Sequence, residues 1–212
     1  MAQDDYCEPV GVVHSPFREK FGIPRQPGLV PEARAVLVLQ PPFDRPEAVE
    51  GLEGFSHLWL IYRFHAVSAE RGRLSVRPPR LGGNRRLGVF ATRSPFRPNP
   101  LGLSAVRLDR IEVVSGRVRL RLSGVDLLHG TPVLDIKPYV PYADSLPDAR
   151  AGFAAGPPPA CLAVRFAPEA ERVLARRADG GELRRLIRGV LSLDPRPAYR
   201  AGEAGEPGRV HG

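Results

Sequence analysis

LSAVRLDRIEVVSGRVRLRLS, residues 103–123, decides the fold class. Two β-like runs flank Ser115 and Gly116, a two-residue hairpin signature. In RVRLRLS the side chains alternate strictly. Successive strand residues point to opposite faces, so Arg117, Arg119 and Arg121 share one face and Val118, Leu120 and Leu122 the other. Such a hairpin buries one side and wets the other, as in an antiparallel barrel or sandwich.

Working outward, further short apolar runs precede and follow it. VGVVHS (10–15), AVLVLQ (35–40), FSHLWLIYRFH (55–65), LGVFAT (87–92) and PVLDIKPYV (132–140) all read as strands. In the fourth, Val89 and Phe90 read as buried. Pro and Gly clusters punctuate these runs. The C-terminal part differs. Residues 168–178 and 181–193 have helical character, with Leu183, Leu186, Ile187, Val190 and Leu191 forming one apolar stripe. The chain reads as mainly β, with a barrel-type body over 1–146, a smaller α-containing appendage over 147–200 and a polar tail over 201–212. PDARAGFAAGPPPA (147–160) reads as a linker or a long loop.

A chain of 212 residues can bury a real core without disulfides or metals. Cys7 and Cys161 are its only cysteines and read as reduced thiols of a cytosolic protein. No apolar run is long enough to span a membrane. The acidic start, MAQDDYCEPVGVVHSP, lacks an apolar signal core, so the expected compartment is the cytoplasm. The formal charge is +8, and of the 31 basic residues all but Lys20 and Lys137 are arginines. Residues 63–121 hold 14 arginines against Glu70, Asp109 and Glu112, so the middle of the chain carries the whole excess. A concentrated guanidinium field suits a polyanion such as nucleic acid. A merely solvated basic surface is the alternative.

Motifs narrow the chemistry. There is no GxxxxGK[ST] and no strand–GxGxxG–helix, which disfavours a phosphate-bearing cofactor. His57 and His65 would share a strand face but lie about 26 Å apart, too far for one ion. No CxxC or HExxH occurs, so no metal is expected. GVFATRSPFRPNPLGLS (88–104) sets Arg93, Arg97 and Asn99 among prolines of fixed φ. PRQPG (24–28) repeats that logic with Arg25 and Gln26. In DIKPY (135–139), Asp135 and Lys137 share a strand face. They form either a surface salt bridge or a polar site with Asp135 accepting a proton and Lys137 orienting it.

HSPFREKFGIPRQPGLV, VEGLEGFSHLWLIYRFH, VRPPRLGGNRRLGVFATRSPFRPNPLGLS, DLLHGTPVLDIKPYVPYADS and DPRPAYRAGE together resemble the TsaA/TrmO-like family. These are tRNA N6-threonylcarbamoyladenosine methyltransferases. The resemblance runs over about residues 10–203, in order. It implies a single-sheet β-barrel, non-Rossmann methyltransferase, homodimeric, using S-adenosylmethionine on a threonine tRNA beside the anticodon. Carried over by motif, the cofactor contacts would be Arg25, Gln26, Pro27, His65, Ala66, Arg93, Leu103, Asp126, Leu127, Leu128 and His129. Asp135, Lys137, Tyr139 and Asn99 would serve catalysis, with Asp135 as base. Arg97, Asn99 and Lys137 would face the RNA. The other readings are a non-catalytic basic RNA-binding barrel and a structural dimer with solubilising arginines. Relatives commonly carry an acid at His129, and a further strand after PAYRAGE, on which barrel closure or the grip on tRNA would then depend.

Overall fold

The computed structural model describes residues 7–67, 73–160 and 162–196. Cys161 and the tail expected over 201–212 lie outside the described residues.

The strands are β1 (Gly11–His14), β2 (Ala35–Leu39), β3 (His57–Arg63), β4 (Ser75–Val76), β5 (Leu87–Gly88), β6 (Leu101–Val114), β7 (Arg117–Ser123) and β8 (Thr131–Pro138). Six of them close a barrel in the order β1-β2-β7-β6-β3-β8. Every neighbouring pair is antiparallel, and β8 returns to β1 with Gly11 opposite Val133. The mainly-β, single-sheet barrel is therefore as expected. Its closure needs no strand beyond Pro138, contrary to the dependence on a terminal strand.

The barrel interior follows from the alternation. Val118, Leu120 and Leu122 of β7 are fully buried, as are Leu37, Leu58, Leu60 and Val133 on other strands of the barrel. Burying each such side chain contributes about 1.5–3 kcal/mol. Ser115 and Gly116 both take positive φ, 52° and 75°, as a two-residue hairpin turn requires.

Two bulges reset the alternation. Leu108 pairs with Leu122 and Arg110 with Arg121, leaving Asp109 extra on β6. Asp109 there accepts a 2.9 Å bond from the Ser123 hydroxyl. On β8, Ile61 faces Asp135 while Tyr62 faces Val133, so Leu134 is extra. A bulge bends the strand and sharpens its twist, which helps a small barrel close.

The run 87–92 is not a strand. Only Leu87–Gly88 pairs, with β4, and Val89–Ala91 turns into a short 3-10 helix. Val89 is buried, but Phe90 is 79% exposed. The Val89 carbonyl accepts from the Thr92 amide (3.2 Å) and hydroxyl (2.9 Å), closing the turn locally.

Among the described residues three α-helices follow the barrel: α1 (Pro141–Asp144), α2 (Pro168–Arg176) and α3 (Gly180–Ser192). Leu186 and Val190 of α3 pack on the barrel core. At Gly189 a Cβ would stand 2.8 Å from Val30, so glycine permits that approach. Arg34 and Glu182 add a 2.6 Å ion pair.

Candidate active site at one end of the barrel

The inner faces of β3 and β6 carry a polar group inside an apolar barrel. Tyr62 lies opposite Gly102. A Cβ on Gly102 would come within 2.2 Å of the Tyr62 ring, so the glycine makes room for that ring. The Tyr62 hydroxyl stands 3.2 Å from Ser104 Oγ, and Ser104 Oγ donates to Asp126 Oδ1 at 2.7 Å. With Asp126 ionised, Ser104 gives its proton to the carboxylate, so Tyr62 donates to Ser104. Burial raises the Asp126 carboxyl to about 6, against the Ser104 bond and the Arg93 charge, which pull it down. Burial, and then the Asp126 charge, push the Tyr62 phenol up.

Two loops meet over this group. The Arg93 guanidinium donates to Gln26 Oε1 at 2.6 Å. The Gly28 amide donates to the Gly124 carbonyl at 2.8 Å. Gly124 has φ +70° and lies so near Gly28 that a Cβ would meet its Cα at 3.3 Å. Residues 24–28 are thus pinned to the start of the 124–130 loop. The far end of that loop is pinned by the His129 amide on Phe17 O and the Gly130 amide on Val13 O, both 2.8 Å.

Three histidines gather there. The His14 and His129 rings meet edge-on at 5.1 Å. The His65 ring bonds to the His129 backbone and lies beside Gly130. Burial lowers the His65 and His14 pKa values; Lys20 adds to the first, His129, Arg18 and Arg119 to the second. His129 Nδ1 is buried without a hydrogen-bond partner.

The expected residues divide among several places. Gln26, Arg93 and Asp126 meet at the barrel end, and His65 and His129 meet across the same loop. Leu127 is core, and its carbonyl accepts from Ser15 Oγ at 2.7 Å. The Leu128 carbonyl accepts from Thr131 Oγ1 at 2.7 Å. Pro27 is half-buried beside Gln26, and Ala66 is exposed after His65. Arg25 points away, its guanidinium on the Asp194 and Arg196 carbonyls at 3.4 Å. Leu103 faces outward, 55% exposed, because Ser104 next to it faces inward. Asp135 and Lys137 also lie outside, paired at 3.4 Å. Tyr139 packs on Trp59 and His57. The Asn99 side chain is exposed, while Arg97 is half-buried and donates to Thr92 O at 3.2 Å, bracing its own loop.

Sequence reasoning missed Tyr62 and Ser104. Their signal was present: Gly102 and Ser104 occupy core-facing positions of an otherwise apolar alternation.

The donor set has a recognisable chemistry. Arg93 beside Gln26 offers a cation and an amide to a carboxylate. Asp126 and His129 Nδ1 offer acceptors to an ammonium or hydroxyl. Nothing lies within 4 Å of a Cβ built on Gly28, so its outer side is open. An amino acid joined to a nucleoside, such as S-adenosylmethionine, fits these groups.

The model of the tRNA-methyltransferase O N-terminal domain matches residues 12–145, and that of the TrmO C-terminal domain matches 159–212. The chain belongs to the tRNA-methyltransferase O family. It is 51% identical over 205 residues to the tRNA (adenine(37)-N6)-methyltransferase of Escherichia coli K12, covering 96% of this chain and 86% of that one. It is 55% identical over 208 residues to a Pseudomonas aeruginosa protein named a putative S-adenosylmethionine-dependent methyltransferase, with the same coverage. The crystal structure of TrmO from P. aeruginosa superposes with a TM-score of 0.74 at 48% identity, over 93% of this chain and 84% of that one.

Proposed function

We propose that the protein transfers a methyl group from S-adenosylmethionine to N6 of adenine 37 in tRNA. The substrate is N6-threonylcarbamoyladenosine in a threonine tRNA, and the product its N6-methyl derivative. The observation that carries this reading is the convergence of Gln26, Arg93 and Asp126, from separate segments, on one barrel end. Arg93 with Gln26 would hold the cofactor carboxylate, and Asp126 with His129 the ammonium or ribose hydroxyls.

The cofactor supplies an activated methyl on sulfur. The protein's part is placement, which can supply much of the barrier reduction. The N6 proton of the modified base is acidified by the adjoining carbonyl, so a modest base suffices. Asp135 is that base, oriented by Lys137; Tyr139 and Asn99 serve the same step, and Arg97 and Lys137 face the RNA. Asp135 and Lys137 are outside the barrel, whereas the Arg93–Asp126 group opens at its end. A homodimer reconciles them if the second subunit brings its own outer face to the pocket. Exposed Leu101 and Leu103, on one face of β6, supply an apolar strip for that contact. The cytoplasm, where tRNA is modified, is the corresponding compartment.

The test is calorimetric binding of S-adenosylmethionine, followed by transfer of labelled methyl to threonylcarbamoylated and unmodified threonine tRNA. Micromolar binding with transfer to the modified tRNA alone is expected. Absence of both would overturn the reading; RNA binding without transfer would favour the non-catalytic barrel.

A further inference from the structure

Two grooves flank the 24–28 loop, and their charges differ. One, about 540 Å³, is lined by Gly28, Arg34, Arg107 and Arg185, but also by Glu32, Asp109 and Glu182. Two of its three arginines are answered within the protein: Arg34 by Glu182 at 2.6 Å and Arg107 by Asp109 at 3.4 Å. The other, about 620 Å³, runs between the 20–29 segment, residues 77–84 and the end of α3. Lys20, Arg25, Arg77 and Arg196 line it, and no carboxylate is among its described lining residues. Its floor is apolar, from Ile23, Leu29 and Leu193, and Phe21 stands at it 62% exposed. Asn84 adds an amide with both donor and acceptor atoms.

We propose that this second groove receives the nucleotide next to the methylated adenosine, its base on Phe21 and its phosphate on Arg25 and Arg77. This rests on the tRNA reading above. Three features argue for a single RNA strand. Arg196 pairs with Asp194 at 2.7 Å, whereas Lys20, Arg25 and Arg77 make no ion pair with a carboxylate among the described residues, so the net positive charge left suits phosphate. An exposed aromatic over an apolar floor suits an unstacked base, which any base can satisfy with its π-face. Arg25, on the wall, immediately precedes Gln26, which holds Arg93. The groove and the proposed cofactor site thus share the 24–28 loop, Arg25 on one side of it and Gln26 on the other. Arg25 spends one guanidinium nitrogen on the Asp194 and Arg196 carbonyls, which fixes its position and leaves further donors.

An enzyme working on a loop base must draw it out of its stack, which also exposes the bases beside it. A second seat for one of them would offset that cost and set the register of the target.

The experiment measures binding of the intact protein to an anticodon stem-loop RNA by fluorescence anisotropy across a salt series. The variants are Phe21→Ala, Phe21→Trp and Arg77→Glu, with Arg172→Ala on α2 as control. Phe21→Ala should weaken RNA binding about tenfold, the effect of one lost base–aromatic stack, and Phe21→Trp should restore it. Arg77→Glu should weaken binding and flatten the salt dependence. An abasic nucleotide beside the target should erase the difference between wild type and Phe21→Ala. S-adenosylmethionine affinity and the circular dichroism melt should stay as in wild type. Wild-type RNA affinity in both Phe21→Ala and Arg77→Glu, with methyl transfer intact, would overturn the groove and spare the function. Failure of the wild type itself to bind cofactor or methylate tRNA would instead remove the function on which the groove rests.

Discussion

Ser104 Oγ donates to Asp126 Oδ1 at 2.7 Å, joining the inner face of β6 to the loop that follows β7. One hydroxyl thus fixes a half-buried carboxylate beside the proposed cofactor site. Ser104→Ala leaves that carboxylate short of a donor, at a cost of about 1–3 kcal/mol. A melt at pH 7 should fall by several degrees, and cofactor affinity should fall about tenfold. An unchanged melt would show that the bond contributes nothing.

Asp126 gives a pH signature. Its folded pKa, about 6, lies above the ordinary 3.8, so the folded state binds the proton more tightly than the unfolded chain. Its contribution to stability is fully present below about pH 3.8 and is lost as pH rises through about 6. Asp126→Asn should therefore be more stable than wild type at pH 7–8, by on the order of 2–3 kcal/mol. That advantage should shrink toward pH 4. Chemical denaturation of both proteins at matched pH values checks the slope; a gap growing toward acid would refute it.

Gly102→Ala forces a Cβ into the Tyr62 ring. Overpacking of this kind costs about 1–3 kcal/mol or more. Because the displaced ring carries the hydroxyl beside Ser104, cofactor affinity should fall as well. Gly102→Ala combined with Tyr62→Leu should recover stability but not affinity, read by melt and calorimetry on the same samples.

Arg93→Ala removes the guanidinium bonded to Gln26 and should weaken S-adenosylmethionine binding about 10- to 100-fold, as for one charge-assisted bond. Asp135→Asn should lower methyl transfer about 100-fold or more with cofactor affinity retained. Equal affinity in the first, or normal turnover in the second, would remove the assigned role.

Leu120→Ala in β7 tests the barrel alone. The side chain is fully buried, so about 2–5 kcal/mol of stability should be lost in a denaturant titration.

The strands were legible where alternation was clean, as in Arg117–Ser123, and helices where the apolar stripe was long, as in Gly180–Ser192. The bulges were not read, although the apolar positions jump by three from Leu108 to Ile111 and fall side by side at Val133 and Leu134. Pattern alone mistook Val89–Ala91 for strand, because apolar content does not show that Thr92 closes a local turn. At the site, motif resemblance named Arg93, Gln26 and Asp126 but gave no faces. That Leu103 and Ser104 point oppositely follows from strand geometry, and that Arg25 turns toward Asp194 follows only from the docking of α3.

The meeting of β1 with β8 has a further consequence. The first and last strands of the barrel are partners, so the order of its ladders is a ring with no privileged starting point. A chain rejoined between residues 138 and 11 and cut at the exposed Ser115–Gly116 turn keeps every strand pair. Such a circular permutant would separate what the sheet requires from what the order of synthesis supplies.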